Sequence, residues 1–140
     1  MKKINLMLSS LATVALFTAG CGSTYDKGPY LPQQSETPPY ESSQPIVLLD
    51  PGVQYSVTCS GLMEQTLGDG RLEVSAQIRN RENRRLEVQV NCVFKDAAGV
   101  VTEETPFTTL ILTENATEQA KFTSMNNQAK KYTIRVRQAR

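Results

Sequence analysis

From Ile46 onward, apolar and polar residues alternate with a period of two. Val53, Tyr55, Val57 and Cys59 alternate with polar neighbours, and Leu72, Val74, Ala76 and Ile78 do so after the turn Gly68-Asp69-Gly70. Leu86, Val88, Val90, Cys92 and Phe94 make the longest such run. This period puts one set of side chains on one face of an extended chain, so each run reads as a half-buried strand. A short apolar run, Ile46-Val47-Leu48-Leu49, is closed by Asp50-Pro51-Gly52. Phe107 to Thr113, then Ala120 with Phe122, then Tyr132, Ile134 and Val136 mark three more strands. In the last of these Lys131, Thr133, Arg135 and Arg137 fall on the opposite face. Turn residues separate the runs: Asn80 to Asn83, Asp96-Ala97-Ala98-Gly99, Thr113-Glu114-Asn115 and Met125-Asn126-Asn127. In the second of them Asp96 is expected to accept local backbone hydrogen bonds and Gly99 to take a positive φ. About seven short strands with one-sided patterning predict an all-β domain over residues 46–140, an antiparallel two-sheet sandwich, with a small barrel as the competing architecture. Only Leu62 to Leu67 reads as a helical turn, and there is no internal repeat.

The chain before Ile46 is patterned differently. Met1-Lys2-Lys3 is a short basic start, and Ile4 to Phe17 is uncharged and mostly apolar, interrupted by Asn5. Small residues Thr18-Ala19-Gly20 follow, so residues 1–20 read as a secretory signal peptide, too short to span the bilayer comfortably. Cys21 comes next, and Leu16-Phe17-Thr18-Ala19-Gly20-Cys21 resembles a bacterial lipobox, with Thr18 where Leu is usual. Small residues before the cysteine let the lipoprotein signal peptidase reach the backbone, and the thiol accepts the diacylglyceryl group. That makes Cys21 the lipidation site, and several acyl chains on it give stable anchoring. Gly22, rather than an acidic residue, follows it, as in lipoproteins sorted to the outer membrane of Gram-negative bacteria. Residues 21–45 hold Pro29, Pro32, Pro38, Pro39 and Pro45 among Ser, Gln, Gly and Thr. Such a stretch buries too little surface to offset chain entropy and is expected to be a disordered tether, reaching on the order of 70 Å if extended. Its Tyr25, Tyr30 and Tyr40 read as scattered linker residues.

Composition then excludes several kinds of chemistry. The 140 residues include no His and no Trp, with 39% hydrophobic and 21% charged residues, enough for one small domain. Without His, Ser-His-Asp and Cys-His catalysis and His-containing zinc sites are ruled out within the chain. The formal charge is +1, but losing Lys2 and Lys3 with the leader leaves thirteen basic against fourteen acidic residues, a net charge of −1. No basic excess points to nucleic acid. There is no phosphate loop, nucleophile elbow or dinucleotide fingerprint, no converging set of polar residues for a small-molecule pocket, and no cofactor is expected.

With Cys21 lipidated, Cys59 and Cys92 remain, both in the inward phase of their strands. In an oxidising compartment they are a disulfide candidate, and a bridge would stabilise the domain by roughly 3–4 kcal/mol. Two Cys without His make an incomplete metal site, so no metal is expected. Glu103 and Glu104 are adjacent and would point to opposite faces of a strand, which prevents them from acting as a catalytic pair. Asn115-Ala116-Thr117 fits a glycosylation pattern but reads as turn chemistry. Two basic clusters remain: Arg79, Arg81, Arg84 and Arg85 around one turn, and Lys130, Lys131, Arg135, Arg137 and Arg140 along the last strand. On an edge strand such charge would guard against aggregation. Alternatively, Lys131, Arg135 and Arg137 form a face for an anionic partner.

The run RNRENRRLEVQVNCVFKDAAGVV, from Arg79 to Val101, resembles the YcfL-type family of small bacterial lipoproteins. The shared pattern is Asn80 at a strand end, the long strand Leu86 to Phe94, and Asp96 with Gly99 in the following turn. The segments PFTTLILTENATEQAKFTS and YTIRVR resemble the closing strands, and the resemblance covers roughly residues 53–138. Where family members usually carry Trp, this chain has Phe94 and Phe107, and it adds Cys59 and Cys92. The resemblance implies a lipobox, a short tether and an Ig-like β-domain, and no activity that transfers residue by residue. The resulting expectation is a non-enzymatic lipoprotein, anchored through Cys21 in the outer membrane and facing the periplasm. It would bind an envelope protein or a peptidoglycan-associated assembly. The alternative is a surface-exposed, adhesin-like module that binds glycan or lipid.

Overall fold

The computed structural model of the chain describes residues 43–139. The expected leader 1–20, the expected lipidation site Cys21, the expected tether up to residue 42 and Arg140 lie outside the described residues. Eight strands and one short helix follow in order: β1 (Ile46–Leu48), α1 (Pro51–Ser56), β2 (Val57–Thr66), β3 (Leu72–Asn80), β4 (Leu86–Lys95), β5 (Val101–Glu104), β6 (Thr108–Leu112), β7 (Thr117–Thr123) and β8 (Lys131–Gln138). They form two sheets facing one another as an all-β sandwich, without barrel closure. One sheet runs β1-β8-β4, with β5 and β6 both pairing along the far side of β4; the other runs β2-β3-β7. All pairings are antiparallel except β1 with β8, which is parallel.

The inward residues of the two sheets make one core. Leu72, Val74, Ala76 and Ile78 from β3 meet Val88, Val90, Cys92 and Phe94 from β4, with Ile134 and Val136 from β8 and Leu112 from β6. The polar residues between them point outward, which is what period-two patterning requires. One lateral side of the sandwich is closed by α1, which packs on β1, β2 and β8 and places Val53 in the core. Pro51 at its first turn suits a helix start, where no intrahelical bond from that nitrogen is needed. Asp50 precedes it, and its carboxylate accepts from Gln138 N at 2.8 Å, tying the helix start to the end of β8.

Three expectations need correction. Val53 and Tyr55 do not share a strand with Val57 and Cys59: they lie in α1, with Val53 buried and Tyr55 exposed. Leu62 to Leu67 is not a helical turn: residues up to Thr66 belong to β2, and the helix lies earlier, over Pro51–Ser56. A bulge between Cys59 and Gly61 shifts the phase of β2, so that Leu62 pairs with Ala76, Glu64 with Val74 and Thr66 with Leu72. The last strand is not an edge: β8 lies between β1 and β4. The turn chemistry follows the sequence. Gly99 has φ +89°, and Asp96 Oδ1 accepts from Val100 N at 2.9 Å. Asn115 takes φ 55°, a left-handed conformation that Asn tolerates better than most residues.

Candidate functional site

Because β8 is interior, its polar face looks out from the middle of the five-stranded sheet. Lys131, Thr133, Arg135 and Arg137 line up there, in register with Lys95, Val93, Asn91 and Gln89 of β4. The sequence-predicted trio Lys131, Arg135 and Arg137 is thus on one face, and register adds Lys95 beside it. Each arginine is held in place. Arg135 Nη1 donates to Glu104 Oε1 at 3.0 Å, and the same oxygen accepts from Asn91 Nδ2 at 2.9 Å. Arg137 Nε donates to Gln89 Oε1 at 2.8 Å, and its guanidinium carbon lies 3.7 Å from the centre of the Phe107 ring, in cation–π range. Lys95 Nζ donates to Thr133 Oγ1 at 2.8 Å, and that hydroxyl donates to Gln44 O at 3.0 Å.

Asn91, Lys95 and Thr133 are buried although they face away from the sandwich core. Asn91 Oδ1 has no hydrogen-bond partner among the described residues, an uncommon state for a buried acceptor. Near the same end of the sheet, Lys95, Lys130 and Lys131 line a cavity of about 410 Å³ with Glu64 and Tyr132. Burial, followed by the negative charge of Glu64, raises the pKa of the Tyr132 phenol. The face therefore holds Lys131, Arg135 and Arg137 on one side of the sheet, beside the buried Lys95. Among the described residues no group of His, Cys, Asp and Glu is assembled that could hold a metal.

The second basic cluster is paired with carboxylates, as Arg135 is with Glu104, but at an exposed turn. Arg84 pairs with Glu82, and Arg85 with Glu87 at 2.8 Å. Their charges are matched locally at an exposed turn, where ion pairs contribute little. What sequence reasoning assigned only as a strand-end residue is Asn80, with no exposed surface. Its side-chain amide donates to Arg84 O at 2.6 Å and Thr113 O at 2.9 Å, and its Oδ1 accepts from Glu82 N at 2.8 Å. Glu103 and Glu104 do take opposite faces, pairing with Phe94 and Val93 respectively. Both have partners: Glu104 orients Arg135, and Glu103 Oε2 accepts from Met125 N at 2.8 Å.

Cys59 and Cys92 are free thiols in this structure, so the candidate disulfide is not formed in it. Cys59, on β2 at the bulge, turns its thiol to Gly61 O at 3.4 Å. Cys92 has no exposed surface, and burial, helped by the charge of Glu103, pushes its thiol up to about 12. Since the thiolate is the reactive form, Cys92 should react slowly in the folded protein. Alkylation of the native protein, followed by peptide mapping, should modify Cys59 first and Cys92 only on unfolding. Equal rates would contradict the burial of Cys92, and two sulfurs that react only after reduction would reveal a bridge.

Comparison with known proteins supports the architecture. The chain is similar to Cj0090 of Campylobacter jejuni, whose crystal structure aligns with a TM-score of 0.54 at 12% identity, over 68% of this chain and 98% of that one. It is also similar to a DUF1425 family member from Shewanella sp. PV-4, with a TM-score of 0.55 at 22% identity, over 60% of this chain and 79% of that one. Both are small bacterial proteins, and at these identities the likeness concerns the fold. Neither a protein-family model nor a curated protein matches the chain.

Proposed function

We propose that this protein is a YcfL-type lipoprotein, anchored through Cys21 in the outer membrane, whose sandwich is a non-enzymatic binding module facing the periplasm. The outer face of the five-stranded sheet is its contact surface, and the partner is an anionic envelope protein or peptidoglycan-associated assembly. One observation carries this reading: Lys131, Arg135 and Arg137, with Lys95 in register, stand on the face of an interior strand. There they have no sheet edge to guard, so protection against edge aggregation does not explain them. Fixing the guanidinium groups beforehand with Glu104, Gln89 and Phe107 lowers the ordering cost of binding. A lipid at one end and a linker of defined reach would raise the local concentration of module and partner in one envelope.

The test is crosslinking and affinity purification of the tagged protein from envelopes, beside Cys21→Ser and Arg135→Ala/Arg137→Ala variants. A partner should be enriched with the lipidated chain. Recovery should fall about tenfold with the double arginine variant, and further as salt is raised from about 0.15 to 0.5 M. Recovery that is insensitive to both salt and the arginine variant would overturn the assignment of the face. If Cys21→Ser behaves as the parent does, the anchoring reading fails. Cleavage of the domain by protease added to intact cells would favour the surface-exposed alternative.

A further inference from the structure

The two lateral sides of the sandwich are unlike. On one, α1 plugs the gap between the sheets with Val53. On the other, β6 of one sheet and β7 of the other lie side by side without a plug. Between them is a cleft of about 180 Å³ lined by Thr108, Thr109, Leu110, Gln119, Ala120 and Phe122, with Val90 of the core at its floor.

The direction of the backbone groups at this cleft follows from register. Ala139 N donates to Glu87 O, so Glu87 turns its backbone to β8, and its neighbour Val88 turns toward β6. Val88 pairs with Leu110, which leaves Thr109 and Ile111 with their N–H and C=O directed to the open edge. In the other sheet Ser124 N donates to Leu72 O, so Leu72, Val74 and Ala76 turn toward β7. Their register with Phe122 and Ala120 leaves Gln119 and Lys121 directed outward. No further strand pairs with either row among the described residues.

Sheet edges are ordinarily blunted by shortness or charge. Here β1 has three residues, β2 carries Glu64, β5 carries Glu103 and Glu104, and β7 carries Glu118 and Lys121. β6, with sequence TTLIL, has neither device, and its outward-facing Ile111 is 47% exposed.

We propose that this side is a self-association surface, occupied by the same side of a second copy of the chain. A two-fold axis normal to the sheets, through Leu110 and Ala120, continues both sheets at once. Thr109 pairs antiparallel with Ile111 of the second copy, and Gln119 with Lys121 of the second copy, so all four outward rows are satisfied isologously. An odd register is excluded because it would set an outward backbone group against an inward one. Five-residue ladders of about 17 Å on two layers about 10 Å apart cover on the order of 700 Å² in total, the size of a weak contact that forms at high concentration and dissociates on dilution. The cleft walls from Leu110, Ala120 and Phe122 are then shielded by their counterparts. An uncharged β6 meets only another uncharged β6, and on β7 the cation at the seam, Lys121, is paired with Glu73 of its own sheet at 2.9 Å and lies opposite the uncharged Gln119 of the second copy.

Sedimentation velocity with reductant, on chain carrying Cys21→Ser so that no lipid drives association, tests this directly. The protein should sediment as a dimer at tens of micromolar and dissociate on dilution. Thr109→Pro removes an outward N–H without touching the β4–β6 ladder, and Ile111→Lys replaces the exposed apolar side chain at the seam with a charge. Each should raise the dissociation constant at least tenfold while leaving the circular dichroism spectrum unchanged, whereas Met125→Lys, at another exposed position, should not. A monomer throughout the range, a dimer unmoved by Thr109→Pro, or a monomer co-purifying with an extended peptide in the cleft would each overturn the proposal.

Discussion

Phe94→Ala is expected to cost about 4 kcal/mol, within the range measured for truncating a buried aromatic side chain. Phe94 has no exposed surface and heads the largest fully buried side chains. It lies on β4, paired with Tyr132 on one side and Glu103 on the other, where the central strand is flanked by β8 and β5. Strands hydrogen-bonded on both sides cannot close around a void, so the relaxation that softens truncations at edges is not accessible. In a domain of this length about 4 kcal/mol corresponds to a fall in Tm of roughly 15–20 °C and to much of the total stability. Phe94→Leu, which keeps most of the volume, should cost under half as much. The measurement is thermal and urea unfolding of both variants. A loss below about 1 kcal/mol for Phe94→Ala would mean that the two sheets do not meet at this residue.

How far the sequence reveals the fold depends on whether burial is decided locally. For the inward residues of β3, β4 and β8 it is: they meet the core, so period two is written into Leu72–Ile78, Leu86–Phe94 and Tyr132–Val136, although Asn91, Val93, Lys95 and Thr133 on the opposite face are buried as well. Before β2 the same pattern misleads. Val53, Tyr55 and Val57 alternate, but Val53 and Val57 are buried while Tyr55 is 79% exposed. Positions four apart share a face of a helix as well, and only the exposed Tyr55 separates the two readings. In β2 the bulge after Cys59 reverses the phase, which places Glu64 and Thr66 on the inward side and hides the strand. β5 carries no apolar stripe, because it extends a hairpin beside β4 where its exposed Val101 meets no core. At the cationic face, alternation alone aligns Lys131, Arg135 and Arg137. Lys95, Asn91, Glu104 and Phe107 join them through strand register and a loop, which no local pattern contains. That β8 is interior, the fact that gives those cations their interest, is a property of sheet order alone.

Asn80→Ala should cost about 3 kcal/mol, far more than its polar character at a strand end suggests. The side chain is buried, and it joins the turn after β3 to the connection between β6 and β7. It donates to the Arg84 and Thr113 carbonyls and accepts from the Glu82 amide. Truncation leaves those backbone groups without their partners in a place water does not readily reach. The sharper experiment is Asn80→Asp, which keeps the shape and the acceptor for Glu82 but replaces a donor with a carboxylate facing carbonyl oxygens. Burial and those oxygens both disfavour the charged form, so the new carboxyl should titrate above its unfolded value. A group that binds its proton more tightly when folded lends stability at low pH and withdraws it as pH rises through the folded pKa. The variant should therefore be at least as unstable as Asn80→Ala at pH 7 and recover relative to the parent as pH falls toward 4. Urea unfolding of parent, Asn80→Ala and Asn80→Asp across that range reads both the size and the sign. A deficit for Asn80→Asp that is flat with pH would show that the amide does not donate to the turn carbonyls, and the junction between the two connections would have to be held by the backbone alone.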